Sequence, residues 1–346
     1  MTESQQAHYD RQVALWLIFC AAVVFGMITL GAVTRLTGSG LSMVEWKPLM
    51  GVIPPLSEQA WQETFDKYRQ FPEYLKVNRG MDLQGFKRIF MFEYLHRVLG
   101  RLIGVIFLLP MLYFWLRGRL RPGFLPHLWL LFVLGGLQGL LGWYMVMSGL
   151  VDNPRVSQYR LTAHLGLAFA IYGYMLWLVF DLVPAGLQGR PRQGTRSHGR
   201  LALVMLALVY LMILSGGLVA GTRAGFAYPT WPLMGDSFIP QGIYPGSPAW
   251  WAAFEDITTI HFNHRMFAYL LFVLLNALAL AVYRRARDAR DRLAALLLAG
   301  ATWLQVALGI ATVLLHVPLA LAAAHQAGAV LLLSAMLFTA HGQVRR

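Results

Sequence analysis

Eight runs of mostly apolar residues constrain this chain more than anything else in it. They lie at about 13–34, 89–116, 125–147, 160–183, 201–221, 259–283, 293–315 and 318–340. About 20 such residues cross the hydrocarbon core as a helix. No water is available there, so each segment must satisfy its own backbone N–H and C=O groups, and runs of this length must be helical. The expected fold class is an all-α polytopic membrane protein with eight transmembrane helices. The chain is 57% hydrophobic and 13% charged, about half the charge of a soluble domain.

The loops set the orientation. Arg117, Arg119 and Arg121 follow the second segment, and Arg190, Arg192, Arg196 and Arg200 the fourth. Arg284, Arg285, Arg287, Arg290 and Arg292 follow the sixth, and Arg345 and Arg346 close the chain. Short basic loops stay in the cytoplasm. Both termini are therefore expected there, and the net charge of +13 reads as a topology signal rather than a nucleic-acid footprint. The polar start MTESQQAHYD has neither the basic region of a signal peptide nor the Arg-rich, acid-poor character of a transit peptide. A bacterial cell inner membrane is the expected home, with lipid as the surrounding partner. The single cysteine, Cys20, allows neither an internal disulfide nor a cysteine metal site.

The two long connections, about 35–88 and 222–258, fall on the outer side. The first is expected to hold an amphipathic helix from Ser57, with Trp61, Phe65 and Tyr68 near one face, ending near Phe71-Pro72 and lying on the outer membrane surface.

The chain repeats. Gly31-Ala-Val-Thr-Arg35 and Pro48-Leu-Met-Gly51 are echoed by Gly217-Leu-Val-Ala-Gly-Thr-Arg223 and Pro232-Leu-Met-Gly235. Leu137-Gln138-x-x-Leu141-Gly142 matches Leu304-Gln305-x-x-Leu308-Gly309, His96-Arg97 matches His264-Arg265, and Ala163-His164 matches Ala324-His325. Residues 1–183 and 184–346 are thus expected to be two four-helix bundles of one topology, related by a pseudo-two-fold axis along the membrane normal.

Four of the ten histidines belong to the repeat, one on each even segment: His96, His164, His264 and His325. Ionisable groups are costly in a membrane, which makes these functional candidates. Each lies within about ten residues of its segment's outer end, so all four sit toward the outer side. Two histidines at matching depth in one bundle can face each other across its core, as cofactor ligands do. Zinc would want three or four ligands, and no further Cys, Asp or Glu repeats with the pair. Haem wants one or two axial ligands and small residues beside the ring, for which Gly100, Gly104, Ala268, Gly166 and Gly328 are candidates. Arg97 and Arg265 are either propionate partners or snorkelling cations. Arg35 and Arg223 are either propionate partners or ordinary interfacial residues. His261 and His316 lie near the outer surface, where each either gates, hydrogen-bonds or is simply solvated, and His8, His127, His198 and His341 receive no role.

The halves differ at one place. Three residues before His96 stands Glu93, and three before His264 stands His261. Positions i and i+3 share a helix face. A carboxylate beside one haem alone points to proton chemistry in the first half; the other reading is a surface residue pairing with Arg97.

The pattern Glu93-x-x-His96-Arg97-x-x-Gly100-Arg101, preceded by Gly31-x-x-x-Arg35-x-Thr37-Gly38-Ser39-Gly40, resembles haem A synthase, and the likeness extends over nearly the whole chain. It implies oxidation of the C8 methyl group of haem O to the formyl group of haem A, for cytochrome c oxidase. It further implies His96 and His164 on the iron of the substrate haem, His264 and His325 on the iron of a bound haem b, and Glu93 as the catalytic acid–base. Arg97, Arg265, Arg35 and Arg223 are the cofactor-binding candidates. The implied partners are a haem O synthase as donor, the cytochrome c oxidase assembly pathway as recipient, and an electron acceptor that the sequence does not name; a homo-oligomer stays open. Some members carry a cysteine pair in the first outer loop, and this chain has none there. If both histidines stay on iron, no coordination site is open to oxygen, and water is the expected oxygen source, with Glu93 taking protons. The alternative is that His96 or His164 dissociates to admit oxygen.

Two other classes compete. A di-haem cytochrome b-type electron carrier would use the same four histidines, although such carriers often stack their haems near opposite membrane faces. A transporter of parallel repeats would place ionisable groups and broken helices at the midplane.

Overall fold

The computed structural model describes residues 2–45, 53–151, 153–182, 196–286 and 288–344, with backbone alone at 196–198. The proposed boundary after residue 183 lies outside these residues, as do Pro48-Leu-Met-Gly51 and the arginines at 190, 192, 287, 345 and 346.

Among the described residues, eight helices are long and apolar enough to cross a membrane. They are α1 (Glu3–Leu36), α2 (Leu83–Leu116), α3 (Leu125–Met147), α4 (Gln158–Leu182), α5 (Arg196–Thr222), α6 (Ile257–Arg284), α7 (Ala289–Leu314) and α8 (Leu319–Val344). The sequence placed all eight, and the largest differences are at two starts. α1 begins at Glu3, where Thr2 and Gln5 form a reciprocal cap. α2 begins at Leu83, where Asp82 accepts from the Gly85 N–H at 2.7 Å. Polar residues in those turns hid both extensions from a hydropathy reading.

Helices α1 to α4 pack in a ring, each against its two neighbours, while opposite helices hardly touch. Helices α5 to α8 repeat that ring. The halves meet through α4 on α5, α1 on α8, and α4 on α8. A two-fold exchange of α1 with α5 and α4 with α8 reproduces this contact set. Small residues permit the close approach: a side chain at Gly221 would meet the Gln158 backbone at 2.6 Å, and one at Gly217 would meet Thr162 Oγ1 at 2.9 Å. Polar links cross the same seam. Gln326 Nε2 donates to the Ile28 carbonyl at 2.9 Å, and the Tyr172 and Ser334 hydroxyls bond at 2.8 Å.

The expected amphipathic helix forms at Glu58–Tyr68, capped by Ser57. Its aromatic face packs against Phe86 and Phe90 on the N-terminal extension of α2, with Tyr68 and Phe86 ring centroids 5.1 Å apart. That apolar face is therefore covered by protein rather than by lipid. Pro72 opens a further short helix, Pro72–Lys76, fitting its preference for a first helical turn.

Candidate haem sites

α2 and α4 are opposite members of the first ring, and α6 and α8 of the second. His96 and His164 project from the first pair and are close enough to interact electrostatically; His264 and His325 do the same in the second. All four are partly accessible rather than sealed, because opposite helices leave space between them.

Each imidazole rests on a glycine of the preceding helix. An ideal Cβ would come within 3.0 Å of His96 Cε1 at Gly31, 2.9 Å of His164 Cε1 at Gly142, 3.5 Å of His264 Cε1 at Gly216 and 2.9 Å of His325 Cε1 at Gly309. The Nδ1 atoms of His96, His164 and His325 are buried without a hydrogen-bond partner. His264 Nδ1 is 3.1 Å from Ser215 Oγ, and Gln138 Nε2 donates to the His164 carbonyl at 3.0 Å. No group of three or more His, Cys, Asp or Glu suited to a metal ion exists among the described residues. Paired imidazoles across an open bundle, without further ligands, fit a haem with two axial ligands and fit zinc poorly.

Three of the expected ring-side glycines do different work, while Gly104 faces open space. Gly166 and Gly328 admit Tyr210 with Leu214 and Gln305 with Leu308, and Gly100 faces Met27. Gly31, Gly142, Gly216 and Gly309, which hold the imidazoles, were overlooked as such. Gly142 and Gly309 close the repeated Leu-Gln-x-x-Leu-Gly motif, so the repeat carried the signal.

Glu93 is 3% exposed. Its Oε1 accepts from Arg97 at 2.6 Å, and its Oε2 accepts from the Ser42 hydroxyl at 2.7 Å and the Met43 N–H at 2.8 Å. Arg97 also donates to the Met43 and Glu45 carbonyls, at 2.8 and 3.1 Å. Its side chain is 10% exposed and clamps the loop after α1 rather than snorkelling to headgroups. That loop turns at Gly38, whose φ of +66° suits glycine. Ser39 and Ser42 are sealed beneath the turn; Ser42 was not singled out by the sequence, although it follows the quoted Thr-Gly-Ser-Gly run.

The second half repeats the clamp without the acid. Arg265 donates from Nε to His261 Nε2 at 3.0 Å and to the Tyr228, Thr230 and Leu233 carbonyls at 2.7 to 3.2 Å. His261 is 2% exposed; of the readings open to it, the structure shows the hydrogen-bonded one, a buried acceptor, and not the solvated one. Arg35 reaches across the seam to the Ala220 carbonyl, and its charge feels Arg223. Two cations thus meet where the two halves adjoin. His316 is exposed in the turn between α7 and α8. On the other side, His127 bonds Tyr174 and His341 bonds Asp181, at 2.6 and 2.9 Å. The side chain of His198 is outside the described residues.

A family model described as COX15-CtaA, cytochrome oxidase assembly protein, matches residues 14–337. The protein named "Heme A synthase" from Nitrosospira multiformis is 49% identical over 99% of this chain and 96% of its own length. Its namesakes from Nitrosomonas eutropha and Parvibaculum lavamentivorans are 48% and 47% identical, over 94% and 95% of this chain and 92% and 93% of their own.

Proposed function

The chain belongs to the COX15-CtaA family of cytochrome oxidase assembly proteins, and from that premise we propose that it is a haem A synthase, a membrane oxidoreductase that converts haem O to haem A for cytochrome oxidase. In this reading the C8 methyl group becomes the formyl group. His96 and His164 hold the substrate haem, and His264 and His325 hold a haem b. Bound there, haem b supplies one-electron chemistry. The observation that carries the assignment is the broken symmetry of the outer clamp: two equivalent imidazole pairs, with a buried carboxylate beside only one of them.

The residues of the first half orient and deprotonate. Gly31 and Gly142 fix the imidazole positions. Arg97 and the Ser42–Met43 loop hold the Glu93 carboxylate one turn from His96, where it receives protons as the methyl carbon gives up its electrons to an acceptor outside the chain and water adds. Arg97 and Arg265 stand at the outer edge of each site, and Arg35 with Arg223 between them. These four cations would hold the haem propionates. A bacterial inner membrane, cytoplasmic termini and outward-facing sites complete the proposal, with haem O synthase as donor and the oxidase assembly pathway as recipient.

The test is pigment extraction from membranes of a host that supplies haem O and lacks its own synthase. Haem A should form, and His96→Ala or His164→Ala should abolish it while retaining haem B. His264→Ala should remove haem B. Undiminished haem A in the His96→Ala variant would refute the assignment. Label from oxygen gas rather than from water in the formyl group would refute the water-addition route.

A further inference from the structure

A second buried carboxylate lies in the outer cap of the first half. Glu73, on the short helix Pro72–Lys76, is 7% exposed. Its Oε2 accepts from the Tyr68 hydroxyl at 3.1 Å, and the Tyr68 oxygen accepts from Asn78 Nδ2 at 2.8 Å. Tyr68 is fully buried against Phe86. Phe86, Phe90, Glu93 and Arg97 follow one another along one face of α2 at helical spacing. Met43, whose N–H binds Glu93, packs against the same aromatic cluster. The cap therefore holds Glu93 at its membrane end and Glu73 farther out.

The titratable and charged groups facing Glu73 are Tyr68 from the amphipathic helix, Glu93 from α2 and Arg223 from the outer end of α5. Burial, followed by the negative charge of Glu93, opposes ionisation, and Tyr68 and Arg223 favour it. The balance pushes the Glu73 carboxyl up to about 7. Such a group exchanges protons readily at neutral pH. A glutamine would keep the acceptor that Tyr68 needs, so packing alone gives no reason for an acid.

We propose that Glu73 is the proton-release residue of the first site, passing protons from Glu93 to the outer aqueous surface. The inference rests on the function proposed above, because the oxidation of the methyl group is what sets the protons free. Each proton that Glu93 yields converts the Glu73 carboxylate to the acid, and its transfer to outer water restores the carboxylate. The residue is neither consumed nor oxidised, and it acts on the substrate only through Glu93.

Membranes of the host described above provide the assay, with haem A formation followed across pH for the wild type, Glu73→Gln and Tyr68→Phe. Wild-type activity should fall on the acid side with a midpoint near 7, where Glu73 loses the ionised form that accepts protons. Glu73→Gln should keep its bound haem, slow by about tenfold or more and lose that acid limb. Tyr68→Phe preserves the aromatic packing and should move the limb to higher pH, because the carboxylate loses a donor. Infrared titration of the purified full-length protein should show a carboxyl band that titrates near neutral pH and is missing from Glu73→Gln. An unmoved limb in both variants overturns the proposal, whatever happens to haem content, and so does a band that persists in Glu73→Gln. If Glu73→Gln does not fold, Tyr68→Phe decides alone. Absence of haem A from wild-type membranes overturns instead the functional reading beneath the proposal.

Discussion

Replacing Gly142 by alanine tests the link between helix packing and haem chemistry. The new Cβ would stand 2.9 Å from His164 Cε1, 3.5 Å from Nδ1 and 3.6 Å from Nε2. Ordinary carbon contacts need about 3.5–4.0 Å, so the ring must retreat by roughly 0.6–1 Å. A free imidazole can swing aside at little cost, but one bound to iron is held to within about 0.2 Å. Overpacking of this kind costs about 1–3 kcal/mol, which is about 5- to 150-fold in haem affinity. The helix itself favours alanine over glycine by about 1 kcal/mol, so folding should not suffer. The expected result is a correctly folded protein that forms little haem A yet keeps haem B, read from pigment extraction beside the thermal melt. Gly309→Ala has the same geometry against His325 and should lose haem B instead. Gly139→Ala, where no atom lies within 4 Å, should leave both haems unchanged while sharing the helix gain. Normal haem content and activity in Gly142→Ala would refute the claim that this glycine seats an iron ligand.

Arg97→Leu leaves the buried Glu93 charge unpaired and should cost about 3–5 kcal/mol. Arg265→Leu, whose helix partner is His261, should cost less, and adding Glu93→Gln should recover part of the Arg97→Leu loss; equal melting temperatures for the two single variants would contradict this. Glu73, raised from 4.5 to about 7, favours the folded cap in its neutral form. Its contribution of about 3 kcal/mol is present in full below about pH 4.5 and lost as pH rises through about 7. Tryptic cleavage after Arg69 and Lys76, taken as the ratio of wild type to Glu73→Gln, should therefore rise from pH 6 to pH 8, and a constant ratio would count against it. For orientation, a cysteine replacing Gln241 should react with a membrane-impermeant thiol reagent added to intact spheroplasts, and one replacing Arg119 should not; the reverse pattern would invert the topology.

Eight helices, their order, the repeat and the four imidazoles were all legible in the sequence. Long apolar runs admit one backbone solution in lipid, and a duplicated motif shows itself by its spacing. The helix starts were harder, because the caps at Thr2 and Asp82 are polar residues that a hydropathy average discounts. Arg97 and Arg265 were recognisable as costly side chains, but their loop partners lie 32 to 54 residues away in the chain. Glu73 carried no signal at all, since a glutamate in an outer loop is normally solvated.

That Glu93-Tyr-Leu-His96-Arg97 and His261-Phe-Asn-His264-Arg265 stand at equivalent places follows from their spacing alone, because periodicity along a helix is a local property. What each side chain meets there came from the folded packing. The ring of helices turned four glycines into seats for imidazoles, and the loop after α1 closed over Glu93. A residue's burial and partners depend on segments distant in the chain, and their meeting is decided by packing across the bundle, which no local pattern encodes.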